Sequence, residues 1–179
     1  MNMEFLKQKI EDAAKKAFTE MYELHSAEDI YAFALYSDEC AETVCASTNT
    51  MSYFNSLENK NDSPAYYKFE PAEWKYENQG ADKELTEVYN LLEDGRNKHE
   101  DDEAWFDGFP KQLFSICIDV LEKLKQERFF SNITGKDVFL TFTVSDYDFT
   151  REELKDIITR LNDNAYRTEY LDWVKSWGS

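Results

Sequence analysis

The chain has 179 residues, with 20 lysines and arginines against 37 aspartates and glutamates, a formal charge of −17 at neutral pH. Hydrophobic residues make up 42% and aromatics 16%, enough to build a core, which excludes wholesale disorder. So negative a balance argues against nucleic acid or an anionic membrane as a direct partner, because each phosphate contact wants a local cation.

Taken in chain order, apolar residues at Leu6, Ile10, Ala13, Ala17, Met21 and Leu24 predict an amphipathic helix over 3–24. His25 falls at its end, where the helix dipole favours a cation. Residues 30–36 predict a first strand, with Tyr31, Phe33 and Leu35 on one face and Ala32 and Ala34 on the other. After a polar turn, residues 43–47 predict an antiparallel second strand. Met51, Phe54 and Leu57 share a side of a short helix over 50–59, and a loop follows to Pro64.

Residues 66–69 read as a third strand, and Pro71 suits the first turn of a short helix. Asp82 is positioned to cap a helix carrying Leu85, Val88, Tyr89 and Leu92, with Gly95 at its C-terminus. A long helix over 102–127 contains Pro110 and a stripe from Phe106 to Leu124. Residues 138–144 alternate clearly, and Phe139 on the second face predicts a central strand. Thr150 and Glu153 form a capping box for a helix with Leu154, Ile157, Ile158 and Leu161 inward. A last helix covers 165–177. This order is no regular alternation of strand and helix. It predicts an α+β fold: a small, mostly antiparallel sheet of about four strands covered by helices, in a single domain over 1–179.

The chemistry is sparse. No glycine-rich phosphate loop, dinucleotide fingerprint or hydrolase elbow occurs, so no cofactor and no catalytic residue is assigned. Cys40, Cys45 and Cys117 are odd in number and lack nearby histidines, which argues against a disulfide framework or a zinc site and for small buried thiols. No metal site is expected. The opening residues lack a cationic segment followed by an apolar run, and no membrane-length segment follows, so a cytoplasmic location is expected.

Two groups of residues carry functional readings. Glu93, Asp94, Glu100, Asp101, Asp102, Glu103 and Asp107 concentrate negative charge around Trp105. Such a surface would steer a cationic protein partner, while a plain solvated face and helix start would also use these residues. The alternative group is Glu73 beside Trp74, with Asp146 and Asp148 after the clearest strand. A small carboxylate-based or metal-assisted enzyme would draw on these, given a cleft joining them to His99 or a tyrosine. Ordinary loop, cap and packing roles are the competing explanation.

Three segments, at 30–38 (IYAFALYSD), 69–77 (FEPAEWKYE) and 143–146 (TVSD), together resemble the bacterial domain of unknown function 4303 family over nearly the whole chain. The resemblance implies no reaction and no catalytic residues. Small acidic domains of this kind are similar in character to immunity proteins of bacterial toxin systems, single-domain inhibitors that bind a toxin domain. The expected function is therefore a non-enzymatic protein-binding domain, an immunity-type inhibitor that occludes a basic toxin domain through an acidic, aromatic-rich face. An intracellular adaptor is a further alternative.

Overall fold

A computed structural model describes residues 1–58, 63–147 and 149–177. The fold is α+β. Among the described residues, strands β1 (Ile30–Asp38), β2 (Val44–Thr50), β3 (Tyr76–Glu77) and β4 (Phe139–Ser145) form one sheet in the order β3-β2-β1-β4. β1 pairs antiparallel with β2, and β2 antiparallel with β3, whereas β4 runs parallel to β1. The carboxyl ends of β1 and β4 therefore lie side by side, with Ser37 opposite Val144.

Both faces of the sheet are covered. On the first face, α1 (Met3–His25), α4 (Asp82–Lys98), α5 (Glu103–Gln126) and α6 (Phe129–Thr134) supply the main core with Phe33, Leu35, Leu140 and Phe142. Phe18 is its aromatic centre, in edge contact with Phe33 and Phe130. On the second face, α2 (Met51–Ser56), α3 (Pro64–Phe69) and α8 (Ala165–Lys175) enclose Tyr31, Ala32, Ala34 and Phe139. The small side chains of Ala32 and Ala34 leave room there for Phe69, Trp74 and Tyr170. Helix α7 (Arg151–Leu161) straddles the two cores, giving Ile157 and Leu161 to the first and Ile158 to the second. Its capping box forms as the sequence predicts.

Several expectations are corrected. Tyr31 faces the second core, not the side of Phe33 and Leu35, because the register between β1 and β2 shifts between Ile30 and Ala32. Residues 66–69 belong to helix α3 rather than to a strand. Pro64 sits in its first turn, where its missing N–H costs nothing. The third strand is instead the two-residue β3. β4 is an edge strand, not a central one. It is buried on both faces because α7 flanks it and Asn162 pairs with its free edge. The fully buried Asn162 amide accepts from the Leu140 N–H at 2.9 Å and donates to the Leu140 carbonyl at 2.7 Å.

Helix α4 begins after Ala81, a left-handed residue whose N–H goes to Glu20 at 2.7 Å, so Asp82 is its first residue rather than its cap. Gly95 does not end this helix. It lies within it and is buried against Met1, whose Cε would come within 3.0 Å of an added Cβ. Cys117 is buried and Cys45 half-buried, but Cys40 is exposed in the hairpin turn rather than a packed thiol. Among the described residues no helix is long and apolar enough to cross a membrane. The segment 59–62, within the expected loop, lies outside the described residues.

Polar clamps join the elements. Glu11, buried between α1 and α5, receives Lys15 at 2.6 Å and Lys123 at 2.7 Å. Glu28, in the turn after α1, receives Lys75, the Tyr76 hydroxyl and the Thr50 hydroxyl, while the His25 ring stacks on Tyr76 at 4.1 Å. Lys75 first, and then the Tyr76 hydroxyl, hold the Glu28 carboxyl down to about 2. A carboxyl depressed in the folded state stabilises above its unfolded value and loses that contribution as pH falls through the folded value. Glu28→Gln is therefore expected to lower stability at pH 7, and the gap to the wild type should close between about pH 4.5 and about pH 2. Urea midpoints measured across that range check it; a gap independent of pH would contradict the charge-based account.

Candidate functional site

The carboxyl end of the sheet gathers most of the features singled out from the sequence. Its frame is the β1–β2 hairpin. Asp38 accepts from the backbone of Cys40, Glu42 and Thr43 and from the Thr43 hydroxyl, at 2.8 to 3.0 Å for the closest oxygen in each case. Burial alone would raise this carboxyl, but those donors outweigh it and hold it below the ordinary range. Asp38 is thereby a turn-building group: its carboxylate is saturated by the hairpin it closes.

The last turn of α4 docks on this hairpin through Arg96, which pairs with Glu42 and lies 5.9 Å from the Phe106 ring. The acidic stretch follows at once. Asp102 caps α5 by accepting the Trp105 N–H at 3.1 Å, and it pairs with His99 at 3.5 Å. Trp105 is sandwiched between His99, at 4.8 Å and parallel within 1°, and Phe109, at 4.3 Å. The indole is thus half-buried in a local stack. Glu93, Asp94, Glu100, Asp101, Glu103 and Asp107 are all exposed. Glu93 meets only the Tyr89 hydroxyl, at 3.4 Å. Among the described residues the side chains of Asp94, Glu100, Asp101, Glu103 and Asp107 make no hydrogen bond or ion pair. Several cations of the chain are engaged elsewhere, within α1, between α1 and α5 and between α5 and α7.

Among the described residues no hydrogen bond or ion pair links the members of the alternative group. Trp74 is core, its indole N–H donating to the Lys68 carbonyl at 3.2 Å and its ring 6.4 Å from Phe139. Glu73 accepts from the Tyr66 hydroxyl at 2.9 Å. Asp146 is exposed after β4, in a left-handed conformation. No hydrogen bond joins Glu73 to Asp146, and His99 is committed to the Trp105 stack. Asp148 lies outside the described residues.

The structure instead shows a cavity that no single segment of the sequence announces. Tyr36 on β1, Thr143 on β4 and Cys45 on β2 share one row across the sheet. The short turn of 3-10 helix at Pro71–Glu73 packs over this row, with the Ser47 hydroxyl reaching the Pro71 carbonyl at 3.4 Å. Between turn and row lies a cavity of about 80 Å³ lined by Tyr36, Glu70, Pro71, Ala72, Glu77, Thr143, Val144 and Ser145. The Tyr36 side chain meets those of Cys45 and Glu77. Burial, aided by the charge of Glu73, pushes the Glu70 carboxyl up, against one bond from the Ala72 N–H. The only sequence signal for these residues is that they fall within the three segments of the family resemblance, which are far apart in the chain and meet here.

A family model described as a domain of unknown function, DUF4303, matches residues 10–163. The chain belongs to the DUF4303 family. No curated protein and no solved structure matches it. The DUF4303 match takes in the whole sheet, the acidic stretch and the sheet-end cavity, and stops just before α8.

Proposed function

We propose that this DUF4303 domain is a non-enzymatic binding module of immunity type, whose acidic end docks on and occludes a basic partner domain. The observation that supports this reading most is the set of five exposed carboxylates, Asp94, Glu100, Asp101, Glu103 and Asp107, that have no side-chain partner among the described residues. Charge gathered at one end costs self-repulsion, only partly offset where Glu103 sits in the first turn of α5, but it accelerates encounter with a cation-rich surface. The Trp105 stack supplies a stiff aromatic base beside these charges, of the kind that anchors interfaces. The partner is a protein with a basic face; the domain acts by covering that face, in the bacterial cytoplasm.

Asp101→Asn/Asp102→Asn keeps the α5 cap, since asparagine caps as well as aspartate. With the partner in hand, the pair is expected to slow association roughly fivefold to tenfold at low salt and to flatten its salt dependence, with dissociation little changed. Stopped-flow association at several ionic strengths checks this; an unchanged rate would remove the acidic stretch from the docking surface.

A further inference from the structure

The sheet-end cavity differs from the charge clamps that hold other carboxylates of this fold. Glu11 has two lysines, Asp119 has Lys7 and Arg160, and Glu28 has Lys75. Asp38 has the hairpin N–H groups. The cavity between the Pro71–Glu73 turn and the Tyr36 row has Glu70 and Glu77 in its lining and neither lysine nor arginine. Neither carboxylate forms an ion pair among the described residues. The rest of its polar lining is hydroxyl: Tyr36, Thr143 and Ser145. Burial disfavours ionisation of Tyr36, which keeps that hydroxyl neutral.

Such a lining leaves negative potential in a half-open recess, with Glu77 exposed and Glu70 partly buried; at Glu70 a charge-assisted bond is stronger than on an open surface. The volume of about 80 Å³ is well short of the several hundred expected of a small-molecule site, and suits the head of one side chain. It opens at the carboxyl ends of β1 and β4, the end that also carries the acidic stretch.

We propose that this cavity receives the guanidinium of an arginine side chain from the basic partner, with Glu70 and Glu77 as its carboxylate walls and the hydroxyls of Tyr36, Thr143 and Ser145 as further acceptors. The inference rests on the docking reading above and names the anchor point within it. Arginine fits better than lysine because its planar, five-donor head can engage two carboxylates and several hydroxyls at once. The raised Glu70 carboxyl gives a second signature: occupation by a cation must bring its titration down toward the ordinary range.

The test uses methylguanidinium chloride as the probe, titrated into isotopically labelled protein against sodium chloride at matched ionic strength. Saturable shifts are expected at the amides of Tyr36, Glu70 to Glu77 and Thr143 to Ser145, with the Glu70 carboxyl titrating lower in the bound form. Glu70→Gln is expected to weaken the probe at least ~fivefold. Glu77→Gln serves as the second variant if the first perturbs folding, while Asp101→Asn/Asp102→Asn should leave the affinity within about twofold. Shifts that rise linearly and scatter over the acidic surface would overturn the proposal, as would saturable shifts unaffected by either glutamine variant. Calcium chloride displacing the probe at lower concentration would overturn it in favour of a hard-cation site. If the partner still binds in a salt-dependent way while methylguanidinium does not saturate, the cavity is excluded and the acidic docking surface is untouched.

Discussion

Phe139→Ala is expected to cost about 4 kcal/mol of unfolding free energy, the middle of the range for emptying a large aromatic site. Phe139 is fully buried, and its ring meets Phe69 at 4.8 Å, Tyr170 at 5.8 Å, Tyr166 at 6.1 Å and Trp74 at 6.4 Å. On β1 the residues paired with Phe139 and Thr141 are the small Ala32 and Ala34, so the truncated site has little to collapse from below. Of the helices that would have to move, α3 leads directly into the turn that roofs the sheet-end cavity. The variant should lose near-ultraviolet signal from Trp74 and Trp173 along with its urea midpoint. A loss below about 1.5 kcal/mol would mean that the aromatic layer repacks freely and does not order that face.

Asn162→Ala is expected to cost about 3 kcal/mol, a large effect for a polar residue. Its carboxamide is buried and satisfies both backbone groups of Leu140 on the open edge of β4, with a further bond to the Ile158 carbonyl at 3.3 Å. Truncation leaves a buried N–H and a buried carbonyl unpaired under α7, where water does not replace the amide. Asn162→Asp makes a sharper test. The carboxylate can still accept from Leu140 but has nothing to donate, and it is charged in a buried position. Burial raises its folded-state pKa above the unfolded one, so the aspartate variant should be least stable at neutral pH and recover as pH falls. Urea denaturation at pH 7 and pH 4.5 checks both variants; an aspartate variant that weakens on acidification would contradict the edge-pairing role.

Much of the fold is legible because its signals are local. The stripe from Leu6 to Met21, the alternation around Leu140 and the Thr150–Glu153 capping box each need only a few neighbouring residues to be read. The failures have physical causes that lie elsewhere in the chain. The short aromatic run at Tyr66, Tyr67 and Phe69 suits a strand or one helical turn equally, and Pro64 together with packing on α8 decides for the helix. Gly95 looks like a helix end in isolation, yet it is needed inside α4 for the close approach of Met1. Phe139 suggests a central strand because both faces are covered, and nothing local shows that Asn162, 22 residues beyond Leu140, stands in for a further strand.

The acidic stretch was visible as composition. The exposure of its carboxylates, and the commitment of Trp105 to a stack with His99 and Phe109, follow only from three dimensions. The sheet-end cavity was less visible still. Tyr36, Glu70, Glu77 and Thr143 are joined by strand register and by the Pro71 turn, not by spacing along the chain. Family resemblance marked those segments without saying that they meet.

The account centres on an acidic end that binds a basic protein. The most direct measurement is a paired affinity capture from lysate of the source cells. One bait is the wild type; the other carries Asp94→Asn, Glu100→Gln, Asp101→Asn, Glu103→Gln and Asp107→Asn, all exposed and outside the core. Elution in steps of rising salt should release a basic protein from the wild-type bait and little or none of it from the variant. A partner held equally by both baits, or released without regard to salt, would contradict docking through this end.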